Sequence, residues 1–325
     1  MSVYLGIDVG GTTIKIGLIS QEFKLLKKHA IDTRADTENA NQIVSRMMQK
    51  VQELLFENGY SFSDVIAMGL GAPGTIINKS GLYAFAGNLP FDNFPIRDKI
   101  KEYYSGPIFL GNDANMAALA ESRLGAGQGS KDTFMITIGT GIGGGVVIND
   151  RMYTGFNEAG AEIGHMVIRL DGEYCTCGRN GCWEAYVAAP ALIEQTKQAI
   201  SEHPDSILAK IVQPDEKITG KTVFLALDQD CPVAKEVFAQ YAYYLQVGMA
   251  NVINAFMPEI IILGGGISNQ GDRLINSFKQ GTLDDSFLFG DVEKPEFRIA
   301  TLGNDAGMLG AALFAADSLE DGLSF

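Results

Sequence analysis

Short apolar runs alternate along the chain with longer segments in which apolar residues recur every three or four positions. Apolar runs bounded by glycine or proline predict strands at residues 3–8, 14–20, 65–71 and 107–110. Helical spacing predicts helices at residues 38–57, at 114–124 and around 238–256. The apolar face of the last helix consists of Phe238, Ala242, Leu245, Met249, Val252 and Phe256. Strands that alternate with helices in this way predict an α/β fold.

Three segments of the chain are repeated later in the same order. VIAMGLGAPG (65–74) resembles IIILGGGIS (260–268), and LGNDANMAALAE (110–121) resembles LGNDAGMLGAAL (302–313). The first strand pair, LGIDVGGTTIKIGLI (5–19), resembles MITIGTGIGGGVVI (135–148). Glycine-rich strand ends resemble one another by chance, which explains a single match more easily than three in order. The repeats predict two copies of a β-β-β-α-β-α-β-α unit facing a ligand cleft.

We also expect the chain to form two domains. Residues 1–113, together with about 303–325, are expected to form the smaller, N-terminal α/β domain. Residues 114–302 are expected to form a larger C-terminal α/β domain that carries the cysteine cluster described below. Two domains also suit the 325-residue length, at about 150 residues per domain.

Composition excludes several classes of protein. Apolar residues make up 46% of the chain and mean hydropathy is +0.07, values typical of a folded globular protein. The formal net charge of −14 and the pI near 4.7 disfavour nucleic acid and anionic membranes as partners. An anionic substrate would therefore need local binding, by backbone amides or a metal.

The sequence predicts a cytoplasmic protein without a membrane span. No apolar run reaches the ~18 residues that a span requires. The start, MSVYLGIDVG, has neither the basic region nor the apolar core of a signal peptide. In a reducing compartment, four cysteines are not expected to form a disulfide framework.

Glycine-rich turns predict a nucleotide site. In DVGGTTIK (8–15), the glycines remove the Cβ atoms that would keep a phosphate from the backbone amides, and Asp8 is placed to hold a hydrated Mg²⁺. The second copy contributes a similar turn, and GGG (264–266) offers a flat surface for adenine and ribose. Either turn alone is equally consistent with a plain hairpin, and G-x-x-x-x-G-K-[ST] is absent. The predicted nucleotide-binding residues are Asp8, Gly10, Gly11, Thr12, Thr13, Lys15, Thr140, Gly141, Gly265 and Gly266.

The pair Asn112 and Asp113 ends a predicted strand just before a helix. The helix N-terminus favours an ionised Asp113, and Asn112 is able to donate and accept hydrogen bonds to a polyol. Phosphoryl transfer to an alcohol needs a carboxylate that accepts the hydroxyl proton, a role that Asp113 would suit. The alternative is that Asp113 only caps the helix. Its repeat equivalent, Asp305, serves as an internal control.

A cysteine cluster predicts a metal site. His165 precedes Cys175, Cys177 and Cys182, and one imidazole with three thiolates makes a closed tetrahedral zinc site. Such a site is structural because it leaves no open position for water. The alternative is a set of free core cysteines, which is the interpretation we give to Cys231.

These segments together resemble the ROK family of sugar kinases and repressors, which belongs to the actin/hexokinase-like (ribonuclease H-like) superfamily. The resemblance covers nearly the whole chain. It rests on DVGGTTIK (8–15), GAPG (71–74), NDAN (112–115), GTGIGGG (139–145), EIGH (162–165), CTCGRNGCWE (175–184) and ILGGG (262–266). The zinc-containing glucokinase branch is the most similar.

The resemblance implies an ATP-dependent kinase that uses Mg²⁺ and phosphorylates the 6-hydroxyl of a hexose. Asp113 would be the general base, and His165 would use its two ring nitrogens separately, for zinc and for sugar. The implied sugar contacts are Gly74, Asn88, Asn112, Asp113, Glu162, His165 and Glu184. A homodimer is also implied, with a tetramer as the alternative.

Two residues depart from the family pattern. Gly111 replaces the acidic or apolar residue usual before NDAN, and Ala161 replaces the glycine usual before the glutamate of EIGH. Both could reshape the sugar pocket, so the reaction class is better specified than the sugar. Glucose is the predicted substrate, with N-acetylmannosamine, N-acetylglucosamine, fructose and allose as alternatives.

Two other functions fit the same family. A sugar-responsive repressor would carry a helix-turn-helix ahead of the sugar domain, and we expect none because the first strand begins at residue 3. A catalytically silent sugar-binding protein is disfavoured by Asp8, Asp113 and both phosphate turns, although a shared fold does not fix function.

Overall fold

The computed structural model describes residues 2–87, 89–212 and 217–323. The first half of the chain forms two sheets and three helices. Its strands are β1 (Val3–Val9), β2 (Thr13–Ile19), β3 (Leu25–Asp32), β4 (Val65–Ala72), β5 (Thr75–Ile77), β6 (Leu82–Phe85), β7 (Asp92–Phe94) and β8 (Ile108–Asn112). Its helices are α1 (Ala40–Glu57), α2 (Ile96–Lys101) and α3 (Asp113–Leu124).

The second half adds five strands and seven helices in the described residues. The strands are β9 (Thr133–Ile138), β10 (Ile142–Ile148), β11 (Arg151–Tyr153), β12 (Ile260–Gly264) and β13 (Glu296–Ile299). The helices are α4 (Glu184–Val187), α5 (Ala189–Glu202), α6 (Ile207–Lys210), α7 (Thr222–Leu227), α8 (Pro232–Phe256), α9 (Asp272–Asp285) and α10 (Ala306–Glu320).

Two five-stranded sheets have the same strand order. The first runs β3-β2-β1-β4-β8 and the second runs β11-β10-β9-β12-β13. In the first sheet β1 pairs antiparallel to β2 and parallel to β4, which in turn is parallel to β8. In the second, β10 is antiparallel to β11 and β12 is parallel to β13. The matching order confirms the duplication predicted from the repeats.

The predicted elements correspond to observed ones with small shifts at their ends. Helix α1 begins after Asn39, whose side chain accepts from the Gln42 N–H while the Gln42 side chain accepts from the Asn39 N–H, forming a capping box. The four apolar residues at helical spacing in α1, Ile43, Met47, Val51 and Leu55, are all buried. Hydrophobic periodicity therefore identified the buried face correctly.

The repeat unit predicts a third strand before the first helix, which β3 provides, but no bounds were predicted for it, and the small sheet β5-β6-β7 was not predicted. In β3, which lies at the edge of its sheet, the exposed Lys27 and Lys28 separate two apolar pairs, so apolar and polar residues do not alternate. The strands of the small sheet are three or four residues long, too short for an alternating pattern to stand out.

Contacts between Cα atoms divide the chain into two compact units. Unit 1 consists of Met1–Thr133, Gly145–Ala161 and Thr301–Phe325, and unit 2 of Phe134–Gly144 and Glu162–Ala300. Unit 1 thus extends past the boundary predicted at residue 113, because α3 packs against α10 within it. That packing is close: a Cβ at Gly310 would overlap the backbone of Met116.

Among the described residues, none of the helices combines the length and apolar character needed to cross a membrane.

Candidate active site and metal centre

Three adjacent strands of unit 1 bring predicted site residues to one edge of the first sheet. In the parallel register Asp8 of β1 lies opposite Gly71 of β4, and Ala72 of β4 lies opposite Asn112 of β8. The carboxyl ends of β1, β4 and β8 therefore meet, which is where ligands bind in open α/β sheets. This edge places the phosphate turn, the GAPG segment and Asn112–Asp113 side by side.

The glycine turn between β1 and β2 is a tight hairpin. Its ends pair Asp8 with Lys15, and the Gly10 N–H donates to the Thr13 carbonyl at 3.0 Å. Thr12 is exposed at the tip. The Lys15 ammonium lies 2.9 Å from an oxygen of the Asp8 carboxylate, so this carboxylate, predicted to hold Mg²⁺, is paired with a cation in the structure.

Helix α10 begins beside the Asp8 carboxylate. A Cβ at Gly307 would lie 2.7 Å from Cγ of Asp8, so only glycine leaves room for this approach. The first N–H groups of a helix lack partners within the helix and favour anions nearby. Sequence analysis missed this neighbour, although Gly307 lies within the repeated segment.

Asn112, not Asp113, caps α3. The Asn112 Oδ1 accepts from the N–H groups of Ala114 and Asn115 at 2.9 and 3.3 Å. Asp113 is the first helical residue, partly exposed, with one carboxylate oxygen 2.9 Å from the Ala114 N–H. The helix cap proposed as an alternative role for Asp113 is therefore provided by Asn112. The Asp113 carboxylate follows the cap at the same sheet edge.

The GAPG segment is held from two sides. The Asn112 side-chain amide donates to the Gly74 carbonyl at 3.3 Å, and the Tyr83 hydroxyl donates to the Pro73 carbonyl. Burial, with the charge of Asp113 second, raises the pKa of Tyr83, so its phenol stays protonated. Tyr83 carries no motif and was not predicted. The predicted sugar contact Asn88 lies outside the described residues.

Unit 2 contains the second phosphate turn. Between β9 and β10 the Gly139 N–H donates to the Gly141 carbonyl at 3.0 Å, and Thr140 is exposed at the tip. Gly265, at a φ of +85°, follows β12, and a Cβ there would overlap the backbone of Ile138 at the end of β9. The predicted Thr140 and Gly265 turns thus lie at neighbouring strand ends, and Gly265 and Gly266 are both exposed.

The predicted zinc ligands lie together in unit 2. One ligand atom from each of His165, Cys175, Cys177 and Cys182 lies within 4.8 Å of the others. The Sγ atoms of Cys177 and Cys182 are 3.6 Å apart, and Sγ of Cys175 is 3.6 Å from Nδ1 of His165. Cys231, the predicted core cysteine, is fully buried.

These separations fit a tetrahedral zinc ion. Bonds of about 2.3 Å to sulfur and about 2.0 Å to nitrogen place two sulfurs ~3.8 Å apart and a sulfur and a nitrogen ~3.5 Å apart. A zinc ion here would cross-link the cysteine loop to the turn that carries His165. Because the Cys175 sulfur faces Nδ1, His165 keeps Nε2 for another contact.

The pKa values of the three clustered thiols are shifted in different directions. Burial raises the pKa of Cys182 to about 12 and also raises that of Cys175, whereas a hydrogen bond from the Arg179 backbone lowers the pKa of Cys177. Binding of a divalent cation would therefore release protons from the two buried thiols.

Buried contacts fix the loop that carries the cysteines. Trp183 is fully buried, donates through its indole N–H to the Tyr244 carbonyl at 2.8 Å, and packs where Gly248 has no side chain. The next residue, Glu184, begins α4. Its carboxylate accepts from the Ile142 N–H at 2.8 Å, and its other oxygen lies 3.8 Å from Sγ of Cys175.

Glu184 therefore joins the metal cluster to the second phosphate turn. A Cβ at Gly141 would lie 2.5 Å from the Glu184 carboxylate, so a side chain in this turn would displace that carboxylate. Of the other predicted sugar contacts in unit 2, Glu162 is exposed and His165 is partly buried.

Ala161, one of the two departures noted in the sequence, adopts a left-handed backbone with a φ of +68°. Glycine adopts this conformation without strain, whereas alanine does so at a cost. Ala161 is the last residue of unit 1 before the chain enters unit 2. At the other departure, Gly111, a Cβ would overlap the end of the Met116 side chain.

A model of the ROK family matches residues 4–318. The chain belongs to the ROK family. A glucokinase of Halalkalibacterium halodurans is 40% identical over 308 residues, which are 94% of this chain and 93% of that relative.

Solved ROK structures extend the likeness to the fold. A ROK family glucokinase from Streptomyces griseus, in complex with glucose and AMPPNP, is 32% identical with a TM-score of 0.78, over 97% of this chain and 100% of that one. A ROK hexokinase from Thermus thermophilus is 32% identical with a TM-score of 0.84, over 98% and 99%. The predicted family and the actin/hexokinase-like fold are confirmed. The roles of individual ROK site residues stay predictions.

Proposed function

We propose that this protein is an ATP-dependent glucokinase that transfers the γ-phosphoryl group of MgATP to the 6-hydroxyl of glucose. The observation that carries this proposal is the position of Asp113, which follows the Asn112 cap at the sheet edge where β1, with Asp8, and β4 also end. The likeness to a glucokinase in complex with glucose and AMPPNP supports the choice of substrates.

In the proposed reaction Asp113 accepts the proton of the sugar hydroxyl. The oxygen attacks Pγ, the bond from Pγ to the bridging oxygen breaks, and the electron pair leaves with ADP. Catalysis of phosphoryl transfer is mostly positioning and charge stabilisation. Because Asp113 lies at the N-terminus of α3, the helix stabilises its ionised form before the proton arrives.

The nucleotide would be held by backbone N–H groups more than by cations. The turns at Gly10–Thr13 and Gly139–Gly141 and the start of α10 present such groups. Magnesium bound to ATP would neutralise charge on the phosphates, and Asp8 would hold its water shell. The Lys15 ammonium, 2.9 Å from the Asp8 carboxylate, would orient that carboxylate.

The residues proposed to contact the sugar are Gly74, Asn112, Asp113, Glu162, His165 and Glu184. Zinc would supply no chemistry, only rigidity, by fixing the His165 ring and the loop that leads to Glu184. Asn88 belongs to the same proposed set on the strength of the family resemblance. We further expect a cytoplasmic homodimer.

The test is ADP release from MgATP on addition of single hexoses. Glucose should give the highest kcat/KM, and N-acetylmannosamine, N-acetylglucosamine, fructose and allose should give lower values. A higher value for another hexose would replace glucose as substrate. No hexose-dependent ADP release would overturn the kinase proposal and favour a sugar-binding regulator or scaffold.

A further inference from the structure

Helix α3 carries a buried carboxylate that the proposed reaction does not use. Glu121 is fully buried, two turns after Asp113 on the same helix. Burying an unpaired carboxylate is costly, so a fully buried one needs strong hydrogen-bond partners.

Three backbone N–H groups supply them. Oε1 of Glu121 accepts from the Leu302 N–H at 2.6 Å, and Oε2 accepts from the N–H groups of Thr301 and Ala126 at 3.0 Å each. Backbone N–H groups only donate, and both carboxylate oxygens accept here, so one side chain satisfies all three donors. Two of the three donors belong to a segment 180 residues away in sequence.

That segment leads directly to the phosphate side of the site. Thr301 is the first residue of unit 1 after the chain returns from unit 2, and α10 starts five residues later. Gly307, in the first turn of α10, lies against Asp8. Glu121 thus fixes the beginning of the segment whose end contacts the Asp8 carboxylate.

The internal repeat argues that helix packing does not require an acid here. In the alignment of 110–121 with 302–313, Glu121 corresponds to Leu313. Leu313 is also buried, at 1% exposure, and serves as an ordinary core residue of α10. The Glu121 carboxylate therefore has a role in the first copy that has no equivalent in the second.

We propose that Glu121 is a positioning residue that couples α3, the helix of the general base, to residues 301–307 and through them to Asp8. It touches neither sugar nor nucleotide. The proposal rests on the proposed kinase function, since Asp8 and Asp113 are assigned roles only there. It also predicts an effect that does not require catalysis: the 301–307 segment should open more readily when the carboxylate is changed.

The test compares Glu121→Gln with Asp317→Asn. The glutamine places an N–H₂ group against backbone donors. Asp317 is a buried acid of α10, 16 residues after Thr301 along the chain, and it pairs with Arg123 of α3. Both changes are expected to lower the melting temperature of the protein. Only Glu121→Gln should lower kcat/KM for MgATP, by roughly tenfold or more, because small misplacements of reacting groups are amplified. Only it should speed backbone hydrogen exchange across 301–307.

Equal kinetics and equal exchange in the two variants, measured well below both melting temperatures, would overturn the proposal. Glu121→Asp keeps the charge with a shorter reach and should fall between wild type and Glu121→Gln. It decides the question if the glutamine variant does not fold. A wild-type protein without kinase activity would remove the proposed function, and the exchange of 301–307 alone would then decide the coupling.

Discussion

Asn112 and Asp113, at the end of β8, have separate roles that the sequence did not distinguish. Asn112 uses Oδ1 to cap α3 and its amide to hold Gly74, and Asp113 follows with its carboxylate at the sheet edge. The NDAN motif indicated both residues, but only the hydrogen bonds assign the cap. Tyr83 and Glu121 gave no such signal, because their importance comes from backbone groups distant in sequence.

Asp305, the repeat equivalent of Asp113, has a different environment. It makes no side-chain capping bond to α10 and instead pairs with the Lys28 ammonium at 2.6 Å, with 29% of its own side chain exposed. Asp305→Asn should therefore cost less than about 1 kcal/mol, the value of a partly exposed ion pair, and leave kcat nearly unchanged. Urea unfolding and steady-state kinetics check both. A large loss of kcat would assign Asp305 a role in the reaction.

Ala161→Gly should stabilise the protein. The left-handed backbone costs an alanine about 1–2 kcal/mol of folding free energy, which the change removes. Glycine also has more freedom in the unfolded chain, which offsets part of this gain, so the net stabilisation should be roughly 0.5 kcal/mol or more. Ala159→Gly in the same loop, where φ is not positive, is the control and should not stabilise. Equal destabilisation by both changes in urea unfolding would contradict the strain at Ala161.

At the scale of elements, sequence patterns predicted the apolar strands of the first sheet and missed the bounds of β3 and the short strands of the small sheet. Strands 3–8, 14–20 and 65–71 correspond to β1, β2 and β4, which occupy the middle of their sheet. The bounds of β3 were missed because Lys27 and Lys28 interrupt its apolar residues. The cysteine knuckle, formed by His165, Cys175, Cys177 and Cys182, was predicted because zinc ligation demands particular residues at close spacing, whatever the surrounding fold.

The knuckle carries the third prediction. The purified protein should contain one zinc per chain, and alanine at Cys175, Cys177 or Cys182 should lose it, lower stability and raise KM for glucose, because Glu184 follows the last ligand. His165→Ala should be worse still, since it removes a ligand and a sugar contact together. Elemental analysis, thermal melts and kinetics measure these effects.

Cys231→Ala is the matched control for the knuckle. This cysteine is as buried as Cys182 but lies outside the cluster, so its variant should retain full zinc. Metal-free wild-type protein with normal sugar affinity would contradict both the structural site and the dual role of His165.

At the scale of the whole molecule, duplication explains the fold, and later divergence of the two copies explains why their equivalent residues differ. The two five-stranded sheets share one strand order, and each copy ends strands in a glycine turn. The copies differ at the residue that would act as general base: Asp113 lies at a sheet edge, whereas its equivalent Asp305 pairs with a lysine. Sequence repeats predicted the duplication, whereas the division of labour between the copies became visible only in side-chain contacts.

The most direct measurement is product formation by wild type and Asp113→Asn with glucose and MgATP, followed by phosphorus NMR, beside glucose binding by calorimetry. The wild type should form glucose 6-phosphate and ADP. Asp113→Asn should bind glucose but lose at least the ~10²–10⁴ in kcat typical of a general base, since an amide cannot accept the hydroxyl proton. Near-normal kcat in the variant would contradict the account.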